Sequence, residues 1–120
     1  LAQSRSGRLQ AIASRDAGRR AEFGDRHGVE RRLDSYEALV ADPEVDAVYV
    51  ATPHPSHVDH AILAVRAGKA VLVEKPLGLN LAEATALVEA ARQEGVFLLE
   101  AYMYRCHPQV ARLCELIREG

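Results

Sequence analysis

A chain of 120 residues suits one domain, with a core that buries roughly two-thirds of the surface its unfolded form exposes. The formal net charge of −2 gives no electrostatic footing for nucleic acid or an anionic membrane surface, and no apolar run approaches the roughly 20 residues that span a bilayer. Cys106 and Cys114 make no disulfide framework and no signal peptide is visible, which points to a reducing cytoplasm. The chain opens on Leu1 rather than Met, and Leu1–Gly7 reads as the tail of something already under way, so a fragment is expected.

Leu9–Ser14 (LQAIAS) is a short apolar run that reads as the first strand here. Asp16 follows as a helix N-cap, and Ala17–His27 reads as a polar helix closed by Gly28. Val29–Leu33 reads as a short strand, and Ser35 caps a brief helix through Ala41 that Asp42-Pro43 ends. Ala47–Ala51 (AVYVA) is nearly all apolar, the look of a strand buried on both faces. The loop Thr52–Pro55 leads to a helix begun at Ser56, with Asp59 completing a box-like cap and Val58, Ala61, Ile62 and Val65 forming one buried stripe up to Gly68. Ala70–Val73 (AVLV) is another continuous apolar strand. Asn80 with Glu83 starts the next helix, whose stripe is Leu81, Ala84, Leu87, Val88 and Ala91, up to Gly95. Val96–Leu99 (VFLL) is the last buried strand, and Pro108 opens a final helix with the stripe Val110, Leu113, Cys114 and Ile117.

Apolar strands alternating with helices specify βαβ units, hence an α/β fold with a doubly wound, Rossmann-like parallel sheet and helices on both faces. In such sheets ligands bind beyond the carboxyl ends of the strands. Four polar segments occupy those ends: Ser14-Arg15-Asp16, Thr52-Pro53-His54, Glu74-Lys75-Pro76 and Glu100-Ala101-Tyr102. They should gather on one rim.

Those segments carry a resemblance. A strand ending in E-K-P, a preceding one ending in A-T-P-H-x-x-H and a following one ending in E-A-Y-M-Y-R resemble, in order and spacing, the Gfo/Idh/MocA family of oxidoreductases. The form E-A-x-x-x-R-x-x-P from Glu100 to Pro108 is most similar to its dihydrodiol dehydrogenase-like branch. The resemblance implies an N-terminal NAD(P)-binding Rossmann domain followed by a larger α/β substrate domain. It makes residues 1–120 a partial Rossmann domain, with 101–120 leading into that second domain. No glycine-rich G-x-G-x-x-G/A loop occurs among the eight Gly, so the first strand and its phosphate-holding loop are expected to be missing. Homo-oligomerisation, if any, would run through the second domain.

The resemblance implies that Lys75 is the active-site lysine, able to hydrogen-bond a substrate hydroxyl and stabilise developing alkoxide charge. The plain alternative is a surface lysine paired with Glu74. The chain has thirteen Arg and two Lys, Lys69 and Lys75, which makes each lysine easier to weigh. Pro76 fits a rigid turn beside it. After the first strand, an Arg suits the 2′-phosphate of NADP(H), where an acid would suit the ribose hydroxyls of NAD(H). Ser14 and Arg15 therefore favour NADP(H), with NAD(H) as the alternative and Asp16 clouding the choice unless it is spent as an N-cap. The resemblance puts Thr52, Pro53, His54 and His57 beside the nicotinamide ribose. Histidines at 54, 57 and 60 also invite a metal reading, but no H-E-x-x-H pattern or Cys ligand accompanies them, and no metal is assigned. Glu100 either shapes the nicotinamide pocket or is a satisfied carboxylate paired with Arg105 or Lys75, and Arg105 faces the cofactor or an anionic part of the substrate. Cys114 reads as core.

The expected activity is hydride transfer between NAD(P)(H) and a secondary alcohol or ketone, the substrate being a sugar, polyol or cyclic diol. A non-catalytic nucleotide-binding sensor or scaffold of the same fold is the alternative.

Overall fold

Short runs of Val, Ala and Leu flanked by polar turns form the strands, and each is followed by a helix whose apolar stripe returns over them. The computed structural model describes residues 4 and 6–120; of the opening stretch 1–7, residues 1–3 and 5 lie outside the described residues. In chain order the elements are β1 (Ala11–Ala13), α1 (Ala17–His27), β2 (Arg31–Leu33), α2 (Tyr36–Ala41), β3 (Ala47–Val50), α3 (His57–Arg66), β4 (Ala70–Val73), α4 (Leu81–Glu94), β5 (Leu98–Glu100) and α5 (Pro108–Glu119). Two 3₁₀ turns, His54–Ser56 and Met103–Cys106, lead into α3 and α5.

All strand pairs are parallel and lie in two sheets, β1-β2 and β3-β4-β5. In the doubly wound order 3-2-1-4-5-6 these are strands 2 and 3 on one side and 4, 5 and 6 on the other. The place of strand 1 between the two sheets is filled by none of the described residues.

The caps explain the helix limits. Asp16 Oδ1 accepts the Arg19 N–H at 3.0 Å, and Gly28 closes α1 at φ 64°, a left-handed conformation that favours glycine. Ser35 Oγ accepts the Ala38 N–H at 3.1 Å. Asn80 Oδ1 accepts the Glu83 N–H at 3.0 Å, while Glu83 returns its Oε2 to the Leu79 N–H at 2.8 Å. The cap expected from Ser56 with Asp59 does not form. Ser56 closes the His54–Ser56 turn, and its N–H donates to Pro53 O at 2.9 Å. Its side chain makes no cap hydrogen bond. Asp42 ends α2 buried, its Oδ1 on the Glu44 N–H at 2.9 Å and its Oδ2 2.8 Å from Arg31 Nη2.

The core lies between one face of β3-β4-β5 and helices α3 and α4. Val48, Val50, Val71 and Val73 meet Ala61, Ala64, Val65, Leu87 and Ala91 there. The expectation that these strands are buried on both faces is corrected. Their burial alternates, and Tyr49, Leu72 and Leu99 point outward with relative exposures of 52%, 37% and 47%. The reason is that α3 and α4 cover one side and no described element covers the other. Cys114 is likewise exposed rather than core, because among the described elements α5 packs chiefly against the 3₁₀ turn before it. No helix among the described residues is long and apolar enough to cross a membrane.

Candidate active site

The strand ends place the four polar segments as the period-2 geometry requires. Ser14 to Asp16 follow β1, Thr52 to His54 follow β3, Glu74 to Pro76 follow β4, and Glu100 closes β5. Parallel register, Val50 opposite Val73 and Val73 opposite Glu100, brings the last three side by side.

The segment from Glu74 to Leu77 is held from three directions. Tyr49, on the outer face of β3, donates its hydroxyl hydrogen bond to Glu74 Oε1. His57, at the start of α3, meets Pro76 O through Nδ1 at 2.8 Å. Glu100, at the end of β5, takes the Leu77 N–H on Oε1 at 2.8 Å. The Lys75–Pro76 peptide is cis. One residue further, Gly78 is the close approach: a Cβ there would lie 3.0 Å from Glu83 Cβ, 3.1 Å from Ala84 N and 3.2 Å from Val58 Cγ2. The turn therefore lies directly against α3 and α4.

Lys75 is exposed on this anchored turn. Among the described residues it enters no ion pair, with Glu74 or any other acid. Glu74 instead takes the Tyr49 hydroxyl and the Lys75 main-chain N–H, the latter at 3.2 Å. The hydrogen bond from Tyr49 draws the Glu74 carboxyl below its usual range, with the Lys75 N–H and ammonium adding to it. The same bond, with burial behind it, pushes Tyr49 up to about 12. The other lysine, Lys69, is spent structurally: its Nζ donates to Asp42 O at 2.9 Å.

The histidines at 54, 57 and 60 serve different ends. His54 is exposed beside the cleft. His60 Nδ1 lies 3.1 Å from Thr52 Oγ1, its ring is 4.3 Å from that of Tyr36, and burial, then the Arg15 charge, holds its pKa below the ordinary value. His57 was expected to touch the cofactor, and here the structure differs. Its ring is fully buried, with Nδ1 taken up by Pro76 O and Nε2 by Thr52 O, so it stands behind the rim with no surface to offer a ligand.

At the β1 end, Arg15 lies with its guanidinium 5.2 Å from the Tyr36 ring centroid, within cation–π range. Asp16 is committed to its cap, and the Arg19 N–H it accepts lowers its carboxyl. An open cleft of about 570 Å³ lies between α1 and the loop after β3, lined by Arg19, Ala51, Thr52, Pro53, His54 and Pro55. Sequence reading passed over Arg19. Its signal was position, one helical turn beyond Arg15. It also passed over Tyr49, whose signal was a lone hydroxyl inside an apolar strand. Glu100 is on the rim with its Oε1 satisfied by the Leu77 N–H, and the described ion pairs include none between it and Arg105 or Lys75. Arg105 is exposed in the 3₁₀ turn before α5.

Comparison with known proteins agrees with the strand-end motifs. Trans-1,2-dihydrobenzene-1,2-diol dehydrogenase of Oryctolagus cuniculus is 46% identical over 110 residues, which is 92% of this chain and 33% of that protein. The Homo sapiens protein of the same name is 41% identical over the same shares. Among solved structures, the 3-ketoreductase KijD10 of Actinomadura kijaniata, in complex with TDP-benzene and NADP, superposes with a TM-score of 0.84 at 39% identity. That match covers 93% of this chain and 35% of the ketoreductase. A probable dehydrogenase from Thermotoga maritima gives a TM-score of 0.89 at 32% identity, covering 95% and 34%. The chain thus spans about a third of the length of the relatives it matches. The sequence profile described as an oxidoreductase family with an NAD-binding Rossmann fold matches residues 1–102, and the chain belongs to that family, GFO_IDH_MocA.

Proposed function

We propose that the protein carrying this chain is an NADP(H)-dependent oxidoreductase acting on a secondary alcohol or its ketone within a sugar, polyol or cyclic diol. The observation that carries the reading is Lys75: an exposed ammonium that enters no ion pair among the described residues, on a turn anchored from β3, α3 and β5. The relatives support the class of chemistry, one group being dihydrodiol dehydrogenases and another a 3-ketoreductase seen with NADP.

The residues present fit the cofactor. Arg15 stands at the β1 end and Arg19 lines the cleft, while Asp16 gives Oδ1 to its helix cap and has Oδ2 3.6 Å from Arg19 Nε. That set suits a 2′-phosphate better than a bare ribose. When bound, the nicotinamide supplies or accepts the hydride. Lys75 would then hold the substrate oxygen by donating a hydrogen bond to it, stabilising the charge that develops there as that oxygen gains or loses its proton. Thr52, Pro53 and His54 form the wall of the cleft beyond β3, and Glu100 keeps the Lys75 turn against β5.

The test is a cofactor-dependent assay of the full-length protein with a panel of polyols, sugars and cyclic diols. Turnover with a lower KM for NADP(H) than for NAD(H) is expected, and Lys75→Ala should lose most of kcat, on the order of 100-fold or more, with cofactor binding retained. A clear NAD(H) preference would refute the role given to Arg15. Unchanged turnover in the lysine variant would refute the role given to Lys75. Cofactor binding with no turnover on any substrate would instead favour a sensor or scaffold.

A further inference from the structure

Both nitrogens of the His57 ring end on main-chain carbonyls. Nε2 lies 2.7 Å from Thr52 O and Nδ1 lies 2.8 Å from Pro76 O, and the ring has no exposure to solvent. A carbonyl oxygen only accepts, and a neutral imidazole carries one N–H. With one hydrogen the ring would satisfy one carbonyl and turn a lone pair on the other, in a place where water cannot relieve the mismatch. Both contacts are satisfied together only when each nitrogen carries a hydrogen. The two carbonyls belong to the two loops that matter: Thr52 begins the wall of the cleft after β3, and Pro76 follows Lys75 after β4.

We propose that His57 is the positioning residue of this site, donating from both ring nitrogens and so fixing the distance between the Thr52 loop and the Lys75 turn. The inference rests on the reading of Lys75 as the group that meets substrate. It does not require His57 to touch cofactor or substrate. The groups around the ring fit the assignment. His54 stands edge-on with ring centroids 5.3 Å apart. Glu74 lies on the same turn as the Pro76 carbonyl, its carboxylate taken by the Tyr49 hydroxyl and the Lys75 N–H, so it leaves the ring nitrogens to the two carbonyls. Lys75 is turned to solvent and Asp59 is exposed, so neither competes for the ring nitrogens.

The experiment uses the full-length protein labelled with nitrogen-15 in histidine, compared with His57→Gln. At neutral pH, two-bond correlation spectra should show one histidine with both ring nitrogens protonated and slow to exchange, and that signal should be missing from the variant. A folded His57→Gln should lose kcat by on the order of 10- to 100-fold through misplacement of the lysine turn, while its affinity for NADP(H) stays close to that of the parent. A buried residue that merely fills space would not produce that split. A His57 ring carrying a single N–H would overturn the proposal, as would a folded variant with the parent's kcat. If the parent shows no dehydrogenase turnover, the functional reading fails while the ring spectrum still decides the state of His57. If the variant does not fold, the parent's spectrum decides it in the same way.

Discussion

Tyr49 and Glu74 move each other's titration in opposite directions, which makes their contact measurable. The hydrogen bond to Glu74 holds the phenol proton, so Tyr49 titrates at about 12 instead of 10.0. A proton bound more tightly in the folded chain stabilises fully below the ordinary value and ceases to do so as pH climbs through the raised one. Glu74 runs the other way: its contribution is complete above the ordinary 4.5 and is lost as pH falls through its lowered value. The link is therefore intact across the neutral range. In an absorbance titration, one of the four tyrosines should ionise near pH 12, and Tyr49→Phe should abolish that delayed fraction. All tyrosines ionising together in the parent would refute the contact. None of this was legible in the sequence, because the pairing crosses two strands and depends on their register. Lys75 and Arg15 were legible, since a residue just beyond an apolar run must stand at a strand end. His54 and His57 looked alike as letters. The 3₁₀ turn that separates a surface ring from a buried one is a three-dimensional fact.

At the level of elements, the helices read most faithfully. The expected limits of α1, Ala17 to His27, are the limits found, because Asp16 and Gly28 mark its ends chemically. The two box-like starts separate instructively. Asn80 and Glu83 form theirs, and Ser56 and Asp59 do not, since Ser56 is already bent into the preceding turn. Asn80→Ala should therefore cost about 1 kcal/mol in chemical denaturation of the protein, and Asn80→Gly only a few tenths, as a lost cap does. Equal losses from both would point to some role other than capping. Burial on both faces of β3 and β4 was misread for a physical reason. An apolar strand records what covers it in the whole domain, and one face of this sheet meets no described element.

At the largest scale, the decisive feature is that none of the described residues fills the strand position between β1-β2 and β3-β4-β5. In this fold a glycine-rich loop after the central strand supplies the N–H groups that hold a pyrophosphate. Arg15, Arg19 and the cleft wall remain, but charge alone is a weak substitute for that cradle. Calorimetry on the 120-residue chain should find weak binding of NADP(H) or none. Sub-micromolar affinity would show that the rim residues suffice. Fold class and the four strand-end segments came through from sequence, because alternation and polarity are local signals. The division into two sheets did not, because which strands pair is a long-range outcome that local alternation does not record.

The three holds on the Lys75 turn carry one more consequence. Hydrogen bonds from three separate elements restrict how far a short turn can shift or tilt. Tyr49, His57 and Glu100 pin the turn at Glu74, Pro76 and Leu77. Lys75 then adapts chiefly by rotating about the bonds of its own side chain. If Lys75 meets substrate as proposed, breadth of substrate shape would be absorbed on the far side of the pocket, with the lysine turn as the fixed reference.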